Sequence, residues 1–582
     1  MADTIEGNLL PPIDQPDFQH PYLTRQIIAY IGNKRKLLPL IYKAVKSCCP
    51  NIPPGSTFLD VFAGSGVVSR FARYLGFKVY SNDWEYFTYI INSAYLQTCR
   101  KDLPSMYSDF GGLKEVLEHL NNLPEPSPSR QYIARYYAPS TADIEKVDFR
   151  KQRLFYTRPN GLAIDKIRNR IEELYPQTRL DEVKKKEKFL LLALLLYRAA
   201  THTNTSGVFK AYHKGFGGHN RDAMRRITSP IVLDWPVLVD STEGAEVFRE
   251  DSNLLVRSKH FEKEGVDIAY IDPPYNQHQY GSNYHLLNTI ARWDRIVVSN
   301  ELDPNGVLKD KAGIRKDWVA TRSKYCYTET ALRAFWDLME GLSARYILVS
   351  YSTDGIIPFE HLINICSRKG KVDIVTDRYI KYRGGKQSIS RLNRNIEFVL
   401  IVDTGARSTA CDMGKLEKVI SEKRLALLFD KKYSRKKLEK HFYLDQASSS
   451  IYLSLEEGVL YIKTRSFLEL IPPENIENLA SGDLEKLVMA LEGCVCENKQ
   501  QELEEILSRL EHGHLQAKSD RVYLVKQVPD ILRKMAHKKY RDIFTEWMDR
   551  VKEMENRHPE MFSVISSKLY NVQAVARKRF EN

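Results

Sequence analysis

Cysteine is scarce, with eight residues in a chain of 582. No two pairs recur at metal-ligand spacing, and Cys494-Val495-Cys496 is one isolated short pair. Neither a metal centre nor a disulfide framework is expected, and the usage fits a reduced cytoplasm. Long apolar runs are missing too, so no bilayer-spanning helix is predicted, and an acidic, proline-rich amino terminus is unlike a signal peptide. There are no internal repeats. The Gly-Lys-Ser/Thr of a phosphate-binding loop is absent, as is the third glycine of the dinucleotide fingerprint, which disfavours nucleoside triphosphates and dinucleotides. Acidic residues are outnumbered: Lys and Arg total 87 against 74 Asp and Glu, for a net charge of +13. Beyond Gly405 the excess is only three, so ten of those charges belong to the first 404 residues. Such a balance suits a polyanionic partner whose binding weakens with salt.

Three short motifs carry chemistry. Thr57 to Phe62 form an apolar strand running into Ala63-Gly64-Ser65-Gly66 and a helix from Val67 to Leu75. A glycine turn there permits close backbone approach in the crevice where open α/β sheets bind cofactors. Lys78 to Ser81 read as a second strand closed by Asn82-Asp83-Trp84, where the acid can accept ribose hydroxyls and the indole can stack on a purine. The ligand indicated is a smaller nucleoside. Much later, Val266 to Ile271 run as a strand into Asp272-Pro273-Pro274-Tyr275. Twin prolines fix the backbone and push the residue before each into an extended conformation, which holds a carboxylate, a carbonyl and an aromatic face in place. Upstream, Tyr30-Ile31-Gly32-Asn33-Lys34 opens a helix through about Lys46 and brings Tyr30 and Lys34 close together.

In this order the motifs resemble the Dam-like adenine DNA methyltransferases of bacteria and phages, of the alpha order. The resemblance implies S-adenosylmethionine as cofactor and double-stranded DNA as partner. It implies catalytic roles for Asp272, Pro273, Pro274 and Tyr275. Cofactor binding would fall to Tyr30, Lys34, Asp60, Phe62, Ala63, Gly64, Ser65, Gly66, Asp83 and Trp84. Asp251 and Ser252 stand where the family places an acid against the cofactor's adenine. The stretch from Thr201 to Gly218 is similar to the family's recognition loop, and Thr203, Asn204, Ser206, Lys210, Tyr212 and Lys214 mix base-reading and phosphate-binding types. Arg378, Lys381 and Arg383 alternate with tyrosines, a pattern that suits nucleic acid and equally an ordinary edge strand with its polar residues outward.

The fold expected is α/β: a Rossmann-like class I methyltransferase core, an inserted helical target-recognition region, and a mostly helical α+β extension. Boundaries are read at 1–20 for a lead, 21–100 for the cofactor part, 101–250 for the insertion, 251–404 for the catalytic part and 405–582 for the extension. In the extension the cluster from Lys431 to Lys437 reads mainly as a solvated helix face. The reaction implied is methylation of the exocyclic N6 amine of a flipped adenine, in a restriction-modification or phage system with a possible companion endonuclease. Cytosine-N4 or RNA adenine methylation share the geometry. A non-catalytic DNA-binding regulator would be expected to break the tetrapeptide or the glycine turn, and both stand complete.

Overall fold

The computed structural model describes residues 15–582 except 177, 179, 219–220, 377–395, 457, 474–475, 512–517, 538–539 and 582. Arg378, Lys381 and Arg383 therefore lie outside the described residues. The described chain divides into two compact units, the first running to Thr376 and resuming over Glu397–Thr409, the second beginning at Ala410.

The first unit is built on a seven-stranded sheet. Its strands are β1 (Thr57–Asp60), β2 (Lys78–Asn82), β3 (Ala245–Phe248), β4 (Val266–Ile271), β5 (Ala344–Ser352), β6 (Lys371–Thr376) and β7 (Glu397–Asp403), in the order β3-β2-β1-β4-β5-β7-β6. All pairings are parallel except those of β7, which runs antiparallel to β5 and β6. Central strands buried on both faces require unbroken apolar runs, and Ala269 to Ile271, Ile347 to Val349 and Phe398 to Val402 supply them. The strand order reverses beside β1, so its neighbouring carboxyl ends form the crevice where such sheets bind ligands. This is the mostly parallel α/β core expected of a class I methyltransferase.

Between the helix Tyr86–Gln97 and β3 the chain inserts helices that include Arg158–Leu174 and Glu182–Thr201. Leu190 to Leu196 are fully buried, which accounts for their all-apolar character. The sheet recovers the chain at β3, inside the span 101–250 read as an insertion, because a half-exposed edge strand lacks the apolar signature of its central neighbours.

The second unit has its own antiparallel sheet, β8 (Tyr443–Asp445), β9 (Ser450–Leu455), β10 (Gly458–Arg465) and β11 (Glu469–Leu470). The helices Ser481–Cys494, Lys499–Glu511, Val528–Met535 and Arg541–Arg557 each bury an apolar face. Its basic cluster is internally paired: Lys432 meets Glu469, Arg435 meets Glu439, and Lys437 meets Glu497.

Candidate active site

The turn after β1 is fastened to both neighbouring strands, with Val61 N donating to the Tyr270 carbonyl and Ala63 N to that of Asn82. Gly64 has φ +50°, and a Cβ there would lie 2.7 Å from Tyr30 Cε1. At Gly66, with φ +76°, a Cβ would fall 1.9 Å from Asn92 Oδ1. The closest approaches that demand these glycines are thus to the protein's own side chains. The Asp83 carboxylate accepts hydrogen bonds from Gly64 N at 2.8 Å, Glu85 N at 2.9 Å and Thr88 Oγ1 at 2.7 Å. Much of its acceptor capacity goes to holding the turn. Asp60 accepts from Ser69 Oγ, while its other oxygen is buried without a hydrogen-bond partner, and burial pushes its carboxyl up to about 7.

The Tyr30–Lys34 segment closes over this turn. The Tyr30 ring stacks against Tyr284 (4.7 Å between centroids) and Tyr280 (5.0 Å). Ile31 N donates to Tyr284 Oη at 2.7 Å, and Asn33 Nδ2 to Ser65 Oγ at 3.1 Å. Lys34 is 3 % exposed, and its Nζ lies 3.0 Å from Asp272 Oδ1. The pair is an ion contact without aligned hydrogen-bond geometry, since both atoms lack a hydrogen-bond partner. Burial lowers the lysine's affinity for its proton, but Asp272 and Glu397 outweigh that and raise it well above the ordinary value. Asp272 moves up to about 6, driven by burial and opposed by Lys34.

The twin-proline corner is braced from β5. Ile356 N donates to the Tyr275 carbonyl at 3.1 Å, and the Tyr275 ring packs edge-on against Tyr351. Lys34 Nζ also sits 5.0 Å from the Tyr275 ring centre. All three motifs open onto one cleft, whose walls include Tyr30, Lys34, Asp60, Phe62, Ala63, Gly64, Ser65, Asp83, Trp84, Ser252 and residues 272–275. Gly66 starts the following helix behind the wall.

Other expected site residues fall elsewhere. Asp251 caps the helix Ser252–Leu255, accepting from Asn253 N and Leu254 N, and does not line the cleft. Thr203 and Asn204 are buried, and their polar atoms are used within the loop. Thr203 Oγ1 donates to the Phe155 carbonyl, and Asn204 joins the Leu154 carbonyl to Gly217 N. Tyr212 Oη donates to the Phe149 and Gln152 carbonyls. These three organise the loop, whereas Ser206, Lys210 and Lys214 are exposed. Phe209 N donates to the Asn283 carbonyl at 2.7 Å, which ties the loop to the segment following the tetrapeptide. Gln279 and Tyr280 on the cleft wall come from the polar, aromatic stretch after the tetrapeptide, whose sequence already suits contact with cofactor or base. Missed by sequence reasoning are Thr321 and Ser323 on the wall, and Glu397 behind it, 3.7 Å from Lys34 Nζ.

Residues 30–301 match the profile of the D12 class N6 adenine-specific DNA methyltransferases. The type II methyltransferase M.NlaIII of Neisseria lactamica is 30% identical over 366 residues, 63% of this chain and 94% of that protein. The chain belongs to this D12 class family. M.CviAII of Paramecium bursaria Chlorella virus 1 is 28% identical over 64% of this chain and 96% of its own length. The modification methylase StsI of Streptococcus sanguinis is 32% identical over 61% of this chain but only 48% of itself. As a D12 class enzyme the protein is a site-specific DNA adenine methyltransferase, a transferase acting on DNA.

Proposed function

We propose that the cleft binds S-adenosylmethionine beside a flipped adenine and that the Asp272–Tyr275 corner is the catalytic centre. The observation that supports this reading best is the shared cleft, since residues more than two hundred positions apart line one cavity. The cavity fits the donor: Trp84 and Tyr30 offer aromatic surface, and Asp60 brings a buried oxygen that lacks a hydrogen-bond partner to the same wall. When bound, S-adenosylmethionine supplies an activated sulfonium methyl group.

An exocyclic adenine amine is a poor nucleophile because its lone pair is delocalised into the ring. Asp272 and the Pro273 carbonyl accept its two hydrogens, drawing nitrogen toward tetrahedral geometry and meeting its developing positive charge. Tyr275 stacks on the extruded base. Flipping costs a few kcal/mol, offset by stacking and pocket hydrogen bonds. Lys34 is assigned to the carboxylate Asp272 more directly than to the cofactor. Cofactor contacts are assigned to Tyr30, Asp60, Phe62, Ala63, Gly64, Ser65, Asp83, Trp84 and Ser252 on the cleft wall.

Residues 98–244 are assigned to target recognition, with Ser206, Lys210 and Lys214 facing DNA. The relatives named as modification methylases favour a restriction-modification setting, and we extend the proposal to a companion endonuclease and to use in a cytoplasmic compartment. Among the described residues no helix is long and apolar enough to cross a membrane. Sequencing DNA from cells expressing the protein, with modification-sensitive detection, tests the reading. N6-methyladenine at one recurring sequence is expected, and unmodified adenine or methylated cytosine would overturn it.

A further inference from the structure

β7 is the strand that enters the sheet from the opposite direction, so its first residue lies level with the carboxyl ends of its parallel neighbours. Register places Glu397 opposite Ser352, the last residue of β5. An acid at the start of an antiparallel strand thus reaches the level of the twin-proline corner. Glu397 Oε2 is buried without a hydrogen-bond partner, and its side chain is 16% exposed. Its charge faces Lys34 Nζ at 3.7 Å, while the same nitrogen lies 3.0 Å from Asp272. One buried ammonium is therefore shared by two carboxylates, of which Asp272 alone lines the cleft.

We propose that Glu397 is a positioning residue for methyl transfer: by sharing Lys34 it keeps that cation from neutralising Asp272, so Asp272 remains a strong acceptor for the amine hydrogens. Were Lys34 to pair with Asp272 alone, the carboxylate would be a weaker acceptor. Were Lys34 absent, a buried and unpaired Asp272 would take up a proton and lose the lone pairs the amine needs. Glu397 sets the balance between these limits. This rests on the role proposed above for Asp272.

Among the described residues, the charged and titratable groups around Asp272 are Lys34 from the amino-terminal segment, Glu397 from β7, Asp60 from β1, Tyr270 from its own strand, Tyr280 from the helix beyond it and Tyr351 from β5. Asp60 titrates in a similar range, but the carboxylates it senses are Asp272 and Asp83. Removing the Glu397 charge therefore acts on Asp272 first.

The test is single-turnover methyl transfer to DNA, followed against pH with saturating S-adenosylmethionine, in the full-length protein. Glu397→Gln is expected to move the acid limb down by about one pH unit, the scale set by one nearby charge. Lys34→Gln should move the limb up, and Glu397→Asp, which keeps the charge, should return it toward the wild-type midpoint. An unmoved midpoint in Glu397→Gln, with Asp272→Asn inactive, would overturn the role of Glu397 alone. A fully active Asp272→Asn would overturn the underlying role of Asp272, and this inference with it. Cofactor affinity measured by calorimetry in Glu397→Gln is expected to stay within a few-fold of wild type. A collapse in affinity with no change in midpoint would mark a merely structural residue.

Discussion

Gly64 shows how tightly the cleft is assembled at the residue scale, because the Tyr30 ring occupies the space any side chain would need. Gly64→Ala combines that clash with a left-handed backbone and should cost about 1–3 kcal/mol of stability. Calorimetric titration should also show S-adenosylmethionine affinity falling at least tenfold. Asp272 gives a second expectation, with its sign fixed by burial. Its carboxyl is raised to about 6, so the ionised acceptor prevails above that pH and the protonated form below it. The rate of methyl transfer should therefore decline as pH falls through about 6. A rate constant flat down to pH 5 would remove Asp272 from the acceptor role. Asn204 teaches the opposite lesson about single residues. An amide in a glycine-rich loop has the chemistry of an adenine reader and of a turn organiser alike, and only its burial decides between them.

At the scale of elements, a buried cation is one of the ties between the inserted helices and the catalytic core. Arg168 donates to the Ile290 and Ala291 carbonyls near the end of the helix His285–Arg292, and to Glu172 on its own helix. Arg168→Met leaves those two carbonyls unpaired, while Glu172 keeps Lys188 as its partner, at a cost of about 1–3 kcal/mol for each buried acceptor. Denaturant unfolding of the first unit should shift accordingly, and an unshifted midpoint would show the brace to be dispensable. The strands of this unit are legible in the sequence because a doubly buried strand must be an apolar run, and two of them end in turns with distinctive glycines or prolines. β3 and β6 are not, since edge strands with partial burial carry no such pattern. Glu397 is illegible for a different reason. Its meaning depends on β7 running antiparallel and meeting Lys34 from over 350 positions away, which no local spacing encodes.

For the whole molecule, charge and architecture separate by unit. Ten of thirteen net positive charges lie in the first 404 residues, with the cleft. Replacing exposed Lys210 and Lys214 with alanine should weaken DNA binding across sequences and reduce the slope of log affinity against log salt by about one for each phosphate no longer neutralised. Binding curves at several salt concentrations check this, and an unchanged slope would remove both lysines from the interface. The second unit holds separate hydrophobic cores, so truncation after Thr409 should leave S-adenosylmethionine affinity unchanged by calorimetry. The central claim, that the twin-proline carboxylate holds the target amine in the cleft shared with the glycine turn, is tested most directly by Asp272→Ala in a tritiated-methyl transfer assay with cofactor affinity measured in parallel. Methyl transfer reduced by about a hundredfold to a thousandfold, the scale of removing one preorganised transition-state partner, with cofactor binding largely kept, is the predicted result; undiminished transfer would contradict the account.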